Sequence, residues 1–145
     1  MPEKPVPRPT PETAPYWEGA KRGELVIQAC RSCSQHYFYP RPACPHCGST
    51  DVEWVETSGR GRLHTYVINH RPAAGFEDDA PYAIAVVELE EGPRLMANIV
   101  GIENTPENLV LDMALEVDFE ARGEWSVPVF RPASPSGGLS EVAER

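Results

Sequence analysis

Leu115, Val117, Phe119 and Ala121 alternate with Glu116, Asp118, Glu120 and Arg122, a period of two that gives a strand one apolar and one charged face. Runs of β-branched and apolar residues over 60–69, 82–90, 94–101 and 127–131, separated by Gly, Pro and acidic turns, predict four more strands. Glu91-Gly92-Pro93 joins the second and third of the five as a tight hairpin. Between the third and fourth, Thr105-Pro106-Glu107-Asn108 carries a helix-start signal with Thr105 as N-cap, so a short helical turn is expected there. Five strands with a helical insert between the third and fourth follow the order of an OB-type barrel, a small, partly open Greek-key barrel. Closure of that kind disposes of most exposed edges. The expected fold is therefore mainly β, with a five-stranded OB-fold barrel over 58–132.

Ahead of the barrel, Thr10-Pro11-Glu12 reads as a helix entry, with Thr10 able to accept an orphan N–H and Pro11 in the first turn, where its missing donor costs nothing. A helix over 11–22 would end at Gly23, the helical unit spanning 11–23. Its apolar stripe, Tyr16, Trp17 and Ala20, can pack on the rest of the chain or on a partner, and self-packing is the commoner use. Six of the sixteen prolines fall in the first fifteen residues, so 1–10 reads as a disordered, extended arm. Residues 133–145, with Ser-Pro-Ser-Gly-Gly and little to bury, read as a flexible tail. The chain has neither eighteen consecutive apolar residues nor a basic and then apolar N-terminal leader, which predicts a soluble cytoplasmic protein.

A length of 145 residues fits about one domain. Charge narrows the choice of partners: 13 basic residues face 22 acidic ones, net −9, and the barrel segment alone holds six arginines against thirteen acids. OB barrels that hold single strands use a basic groove with aromatic platforms. An acidic barrel argues against nucleic acid and against anionic lipid as partners.

All four cysteines lie as Cys30-x2-Cys33-x10-Cys44-x2-Cys47, which brings four soft ligands together from two turns and suits a tetrahedral ion. In Cys44-Pro45-His46-Cys47-Gly48 the proline preorganises the turn, and the glycine can take positive φ so that backbone N–H groups point at sulfur. The first pair, Cys30-Arg31-Ser32-Cys33-Ser34, lacks that glycine. Disulfides are the poorer reading for a chain without an export signal. Spacing alone leaves iron open beside zinc. Structural zinc is the expected ion, with 24–57 as its ribbon, because four thiolates fill the shell and leave no place for water or substrate.

Of the histidines, His46 sits inside a knuckle already complete, while His36 and His64 read as structural members of strands. His70 is the exception, because His70-Arg71-Pro72 opens a loop through Phe76 and Glu77-Asp78-Asp79 that is longer than a hairpin needs, and such loops often carry recognition. No nucleophile elbow, phosphate-cradling loop or spare cysteine is present, so no catalytic residues are expected. Strand alternation places Glu88 and Glu90 on one solvated face beside a turn.

At this point the chain resembles the zinc-ribbon and OB-fold proteins associated with acyl-CoA enzymes. The resemblance rests on Pro11-Glu12-Thr13 through Tyr16-Trp17-Glu18-Gly19, on Cys30-x2-Cys33 and Arg41-Pro42-x-Cys44-Pro45-x-Cys47-Gly48, and on Ser58-Gly59-Arg60-Gly61. His70-Arg71-Pro72, Pro81-Tyr82-Ala83 and Val87-Glu88-Leu89-x-Glu91-Gly92-Pro93-Arg94-Leu95 extend it over about 11–132, with Ser34 a small departure. It implies a rubredoxin-like ribbon with structural zinc and a noncatalytic accessory subunit of a thiolase-like enzyme. That enzyme would be a thiolase or a retro-aldol lyase acting on acyl-CoA thioesters, including those of sterol side chains, in a heterotetramer or larger assembly. On this reading Tyr16, Trp17, Tyr37, Phe38 and Tyr39 are candidate partner anchors. Arg41, Arg60, His70 and Arg71 are candidate contacts for acyl-CoA at the interface. The competing reading is a stand-alone OB-fold module binding acyl-CoA or single-stranded nucleic acid, for which a steeply salt-dependent oligonucleotide affinity would be the signature.

Overall fold

The computed structural model describes residues 4–133, so all but the first residue of the expected tail lies outside the described residues. One helix, α1 (Ala14–Lys21), precedes eight strands: β1 (Val26–Cys30), β2 (His36–Tyr37), β3 (Val52–Glu56), β4 (Arg60–Asn69), β5 (Tyr82–Leu89), β6 (Arg94–Ala97), β7 (Ala114–Arg122) and β8 (Trp125–Pro132). No helix among them is long and apolar enough to cross a membrane.

The helix starts three residues later than the Thr10 signal suggests. The Thr10 carbonyl accepts the N–H groups of both Thr13 and Ala14, at 3.0 and 2.8 Å, which makes 11–13 a turn. Thr13 Oγ1 in turn accepts the Thr10 N–H at 2.9 Å, so the two threonines brace the entry and Thr13 becomes the cap residue. At its end the helix stops before Gly23, as the sequence indicates.

Strands β2-β1-β3 form a small antiparallel sheet with β1 in the centre. Its five residues are all buried, because β1 is covered by α1 and lends Leu25 and Ile27 at its base to the barrel's own core. The predicted aromatic strand of the ribbon survives only as His36–Tyr37.

The other five strands form one curled sheet in the order β6-β5-β4-β7-β8, all antiparallel. Its two edges are drawn together by a parallel bridge between Ile99 and Phe130, where the Val100 N–H donates to the Phe130 carbonyl at 2.8 Å and the Phe130 N–H to the Asn98 carbonyl at 3.0 Å. This closure shortens the third predicted strand, since residues beyond Ala97 must leave β5 to meet β8. The backbone groups of Ala83 stranded by that departure are taken up by side chains: Asn104 Oδ1 accepts its N–H and Asn98 Nδ2 donates to its carbonyl, both at 2.8 Å. Buried backbone polar groups are rarely left unpaired, and two asparagines here do the work of a missing strand. The expected turn at Thr105 is a single one, its Oγ1 accepting the Asn108 N–H at 3.2 Å.

The core joins Leu63, Ala83, Ala85, Val87, Leu115 and Phe130 of the barrel to Tyr16 of the helix and Leu25 and Ile27 of the ribbon's base. Around the cysteines lies a separate small cluster, Cys30, Tyr37 and Cys44, with Cys33 and Val52 against it. Inward alternation is cleanest in β5, not in β7. Leu115 is fully buried, but Val117 and Phe119 are half-buried and Ala121 is exposed, because β7 runs out past the end of the barrel.

Candidate metal centre and flanking surfaces

The two cysteine turns have the same hydrogen-bonding pattern. The Ser34 N–H donates to the Cys30 carbonyl at 2.9 Å and the Cys30 N–H to the Gln35 carbonyl at 2.9 Å. In the second turn the Gly48 N–H meets the Cys44 carbonyl and the Cys44 N–H the Ser49 carbonyl, both at 2.8 Å. Residues Ser34 and Gly48 occupy equivalent left-handed positions, with φ of 65° and 82°. Glycine takes that conformation freely, whereas serine is strained there by about 1 kcal/mol or more. The first turn therefore keeps its shape despite the missing glycine.

These turns bring the sulfur atoms of Cys30, Cys33, Cys44 and Cys47 to within 4.8 Å of one another. Cys30 and Cys47 are 3.6 Å apart and Cys33 and Cys44 3.7 Å, with no disulfide between them. A zinc–sulfur bond of about 2.3 Å gives a tetrahedron whose edge is about 3.8 Å, so the cluster already has the size of a four-thiolate zinc shell. The His46 N–H donates to Cys44 Sγ at 3.3 Å. Backbone N–H groups of Cys33 and then Ser32 outweigh burial at Cys30 and hold its thiol down, at about 7, whereas at Cys33 the Gln35 N–H is outweighed by burial and the neighbouring sulfurs, which push that thiol up to about 12. Donors that favour thiolate are what a metal site needs. His46 itself is exposed outside the shell.

Two polar residues the sequence did not single out support the ribbon. Buried Gln28 accepts the Arg41 N–H on its Oε1 at 2.6 Å, and the Tyr37 phenol donates to the Arg41 carbonyl at 2.8 Å, which pins the loop between the cysteine pairs. Buried Thr57 donates to the Leu25 carbonyl and accepts the Gly59 N–H, which fixes the passage from ribbon to barrel. Isolated threonine and glutamine carry no pattern by which sequence reasoning could find them.

Four of the five aromatic candidates form a continuous run, from which Tyr37 stands apart. Trp17 meets Tyr16 edge-on at 4.9 Å between ring centroids, Tyr16 lies 5.4 Å from Phe38, and Phe38 lies 4.4 Å from Tyr39. Tyr16 and Tyr37 are buried and offer no surface, Tyr16 in the core that joins helix, ribbon base and barrel and Tyr37 in the small cluster around the cysteines. Burial also pushes the Tyr16 phenol well above its usual range. Trp17 and Phe38 are half-buried against the core, and Tyr39 is 54% exposed. Trp17, Phe38 and Tyr39 therefore keep surface exposed to solvent, and Tyr16 and Tyr37 do not.

The four polar candidates do not converge. Arg41 lines a cleft of about 280 Å³ between the ribbon and the β5–β6 hairpin, beside Phe38 and Arg94. Arg60 is paired with Glu90 at 3.4 Å. His70 and Arg71 follow the other end of β4, about 30 Å from Arg60 at about 3.3 Å per residue, and His70 lines a separate cavity of about 440 Å³ with Tyr66, Pro81 and Thr105. His64 is exposed, at the bulge in β4 between Leu63 and Thr65. Glu88 is bridged by Arg62 and Arg94, and the Arg62 guanidinium foremost holds its carboxyl below the usual range.

Residues 17–53 match the rubredoxin-like zinc ribbon domain of ChsH2, and residues 54–120 match the C-terminal OB-fold domain of ChsH2. A probable enoyl-CoA hydratase alpha subunit of Thermomonospora curvata is 42% identical over 134 residues, covering 91% of this chain and 41% of that protein. The chain thus spans about two fifths of the length of that relative. A DUF35 domain-containing scaffold protein of Pyrococcus furiosus is 41% identical over 104 residues, 70% of this chain and 74% of that one. Among solved structures, a chain of the Ltp2-ChsH2(DUF35) aldolase superposes with a TM-score of 0.78 at 41% identity, covering 89% of this chain and all of that one. The chain belongs to the ChsH2 (DUF35) family of proteins, in which a rubredoxin-like zinc ribbon is followed by an OB-fold domain.

Proposed function

We propose that the chain is a noncatalytic accessory subunit that docks on a thiolase-like enzyme acting on acyl-CoA thioesters, a thiolase or a retro-aldol lyase, with steroid side-chain thioesters as one substrate class. The observation that carries this reading is the likeness to the Ltp2-ChsH2(DUF35) aldolase chain, which extends over the whole of that chain at 41% identity. The site geometry supports it from the other side. The four cysteines Cys30, Cys33, Cys44 and Cys47 suit zinc in a closed shell, and Glu88, the one acid of β5, is tied to Arg62 and Arg94, which supports a reading in which chemistry falls to the partner.

Trp17 and Tyr39, at the outer ends of the aromatic run, supply the anchors for docking, since aromatic side chains dominate interface energetics. Arg41 lines the cleft between the ribbon and the β5–β6 hairpin beside Phe38 and Arg94, which suits it to a phosphate-bearing thioester at the interface. Arg60, already paired with Glu90, and His70 and Arg71, at the far end of β4, are poorer candidates for the same ligand. Replacing Trp17 with alanine is expected to weaken partner association tenfold or more, while the melting temperature of the isolated chain falls by only about 4 to 8 °C. Titration of the partner together with thermal melts tests this. A collapse of stability with unchanged association would assign Trp17 to the core instead.

A further inference from the structure

Residues 4–6 of the arm do not stand away from the barrel. They cross its mouth between the long loop 70–81 and the turn joining β7 to β8. Lys4 Nζ lies 2.6 Å from Asp79 Oδ2 in that loop and 3.3 Å from Glu120 Oε1 on β7. The Pro5 carbonyl accepts a hydrogen bond from Arg122 at 3.1 Å, and Val6 rests against Gly123. Both cations also lie near the ring of Phe76, Lys4 at 5.0 Å and Arg122 at 5.4 Å from its centroid.

Apart from these contacts the loop is tied to β5 by the Ala73 N–H, which donates to Tyr82 Oη at 3.2 Å, and braced locally by the Arg71 N–H on Asn69 Oδ1 and the Gly75 N–H on Glu77 Oε1. Its internal backbone bonds are few, from the Phe76 N–H to the Ala73 carbonyl and from the Asp79 N–H to the Phe76 carbonyl, and its aromatic anchor is the contact of Phe76 with Tyr82. It carries three consecutive acids, Glu77, Asp78 and Asp79, and while Arg122 holds Glu120 at 2.8 Å within β7, Lys4 is the cation that joins Glu120 to Asp79 of the loop. Burial works against the Lys4 ammonium, but Asp79 and Glu120 outweigh it and raise its pKa, so the latch is charged at neutral pH. Lys4, Phe76, Asp79 and Glu120 together form one wall of a cavity of about 310 Å³ at the barrel mouth, whose opposite wall includes Asn98 and Asn104.

We propose that residues 4–6 form a strap that closes the 70–81 loop over the cavity at the barrel mouth, with the Lys4 ammonium, shared between Asp79 and Glu120, as its latch. When the latch is released, the loop swings away from β7 and the cavity opens. The strap is a property of this chain alone and does not depend on the accessory-subunit reading.

Hydrogen exchange on the full chain tests it, with the amides of Phe76 and Asp79 as reporters. In Lys4→Gln these amides are expected to exchange about five- to tenfold faster, as loss of two partly exposed ion pairs and a cation–π contact implies. Amides of Leu63 and Val87 in the barrel core should be unchanged, and Lys4→Arg should restore the slow rate. Raising the salt should speed the reporters in the wild-type chain but not in Lys4→Gln, whose latch is already gone. Equal rates in wild type and Lys4→Gln, acceleration spread over the whole barrel, or the same salt response in both would each overturn the proposal.

Discussion

Replacing Cys44 with serine will release the zinc and unfold the ribbon between the cysteine turns, while most of the barrel's β signal remains. The reason is the division of the core. Residues 31–51 are held mainly by the small cluster around Cys30, Tyr37 and Cys44, with Phe38 reaching the main core and Gln28 pinning Arg41, whereas Leu25 and Ile27 at the ribbon's base belong to the barrel's core. Zinc contributes about 10 to 16 kcal/mol to folding in zinc-finger peptides, far more than so small a cluster can supply by burial. Elemental analysis should show a loss of about one zinc per chain, and the near-ultraviolet signal of Tyr37 should disappear with it. Cys47→Ser should behave in the same way although Cys47 is exposed, which separates loss of a ligand from loss of packing. A Cys44 or Cys47 variant that keeps its full zinc would contradict the four-cysteine assignment.

Replacing Gly61 with alanine will damage the barrel itself. Gly61 pairs with Leu89 on one side and Leu115 on the other, and a Cβ there would stand 2.5 Å from the Glu88 carbonyl oxygen and 3.0 Å from Val87 Cγ1. Backbone cannot be displaced as the end of a side chain can, so the change should cost about 3 kcal/mol, at the upper end for overpacking, and lower the melting temperature by about 10 °C. Exchange protection should be lost first along the β4–β5 ladder. An unchanged melting temperature would show that the ladder accommodates the methyl group by sliding.

That glycine illustrates what the sequence made legible and what it did not. Ser58-Gly59-Arg60-Gly61 stood out as a motif, but its reason, the crossing of β4 by the Glu88 carbonyl, is a tertiary fact. The cysteine spacing carried the metal centre outright, because two short turns fix their own geometry. Strand order was readable from turn residues, yet the inward faces were readable only where the outer face is charged. In β5 the outer residues Ile84 and Val86 are themselves apolar, so its alternation was hidden although it is the cleanest in the barrel. The point where β6 leaves β5 depends on barrel closure and on Asn98 and Asn104, which no local pattern announces. The aromatic residues were found as a group, but their division into buried Tyr16 and Tyr37 and exposed Tyr39 is set by how the helix and ribbon fold onto the barrel. For the arm, proline content and the absence of an apolar run described its composition and missed the ion pairs of Lys4, since both partners lie more than seventy residues away.

The proposed role of this chain is that of the noncatalytic subunit of a thiolase-like enzyme. Its most direct test is to co-express the chain with a candidate thiolase-like partner, purify through a tag on this chain alone, and wash at about 0.5 M salt, where attraction between surface charges is largely screened. The account predicts that the partner co-elutes in a fixed ratio with a zinc-loaded chain, and that acyl-CoA cleavage appears in the complex and not in this chain alone. A zinc-loaded chain that elutes free of every thiolase-like candidate, or that cleaves the thioester by itself, would contradict it.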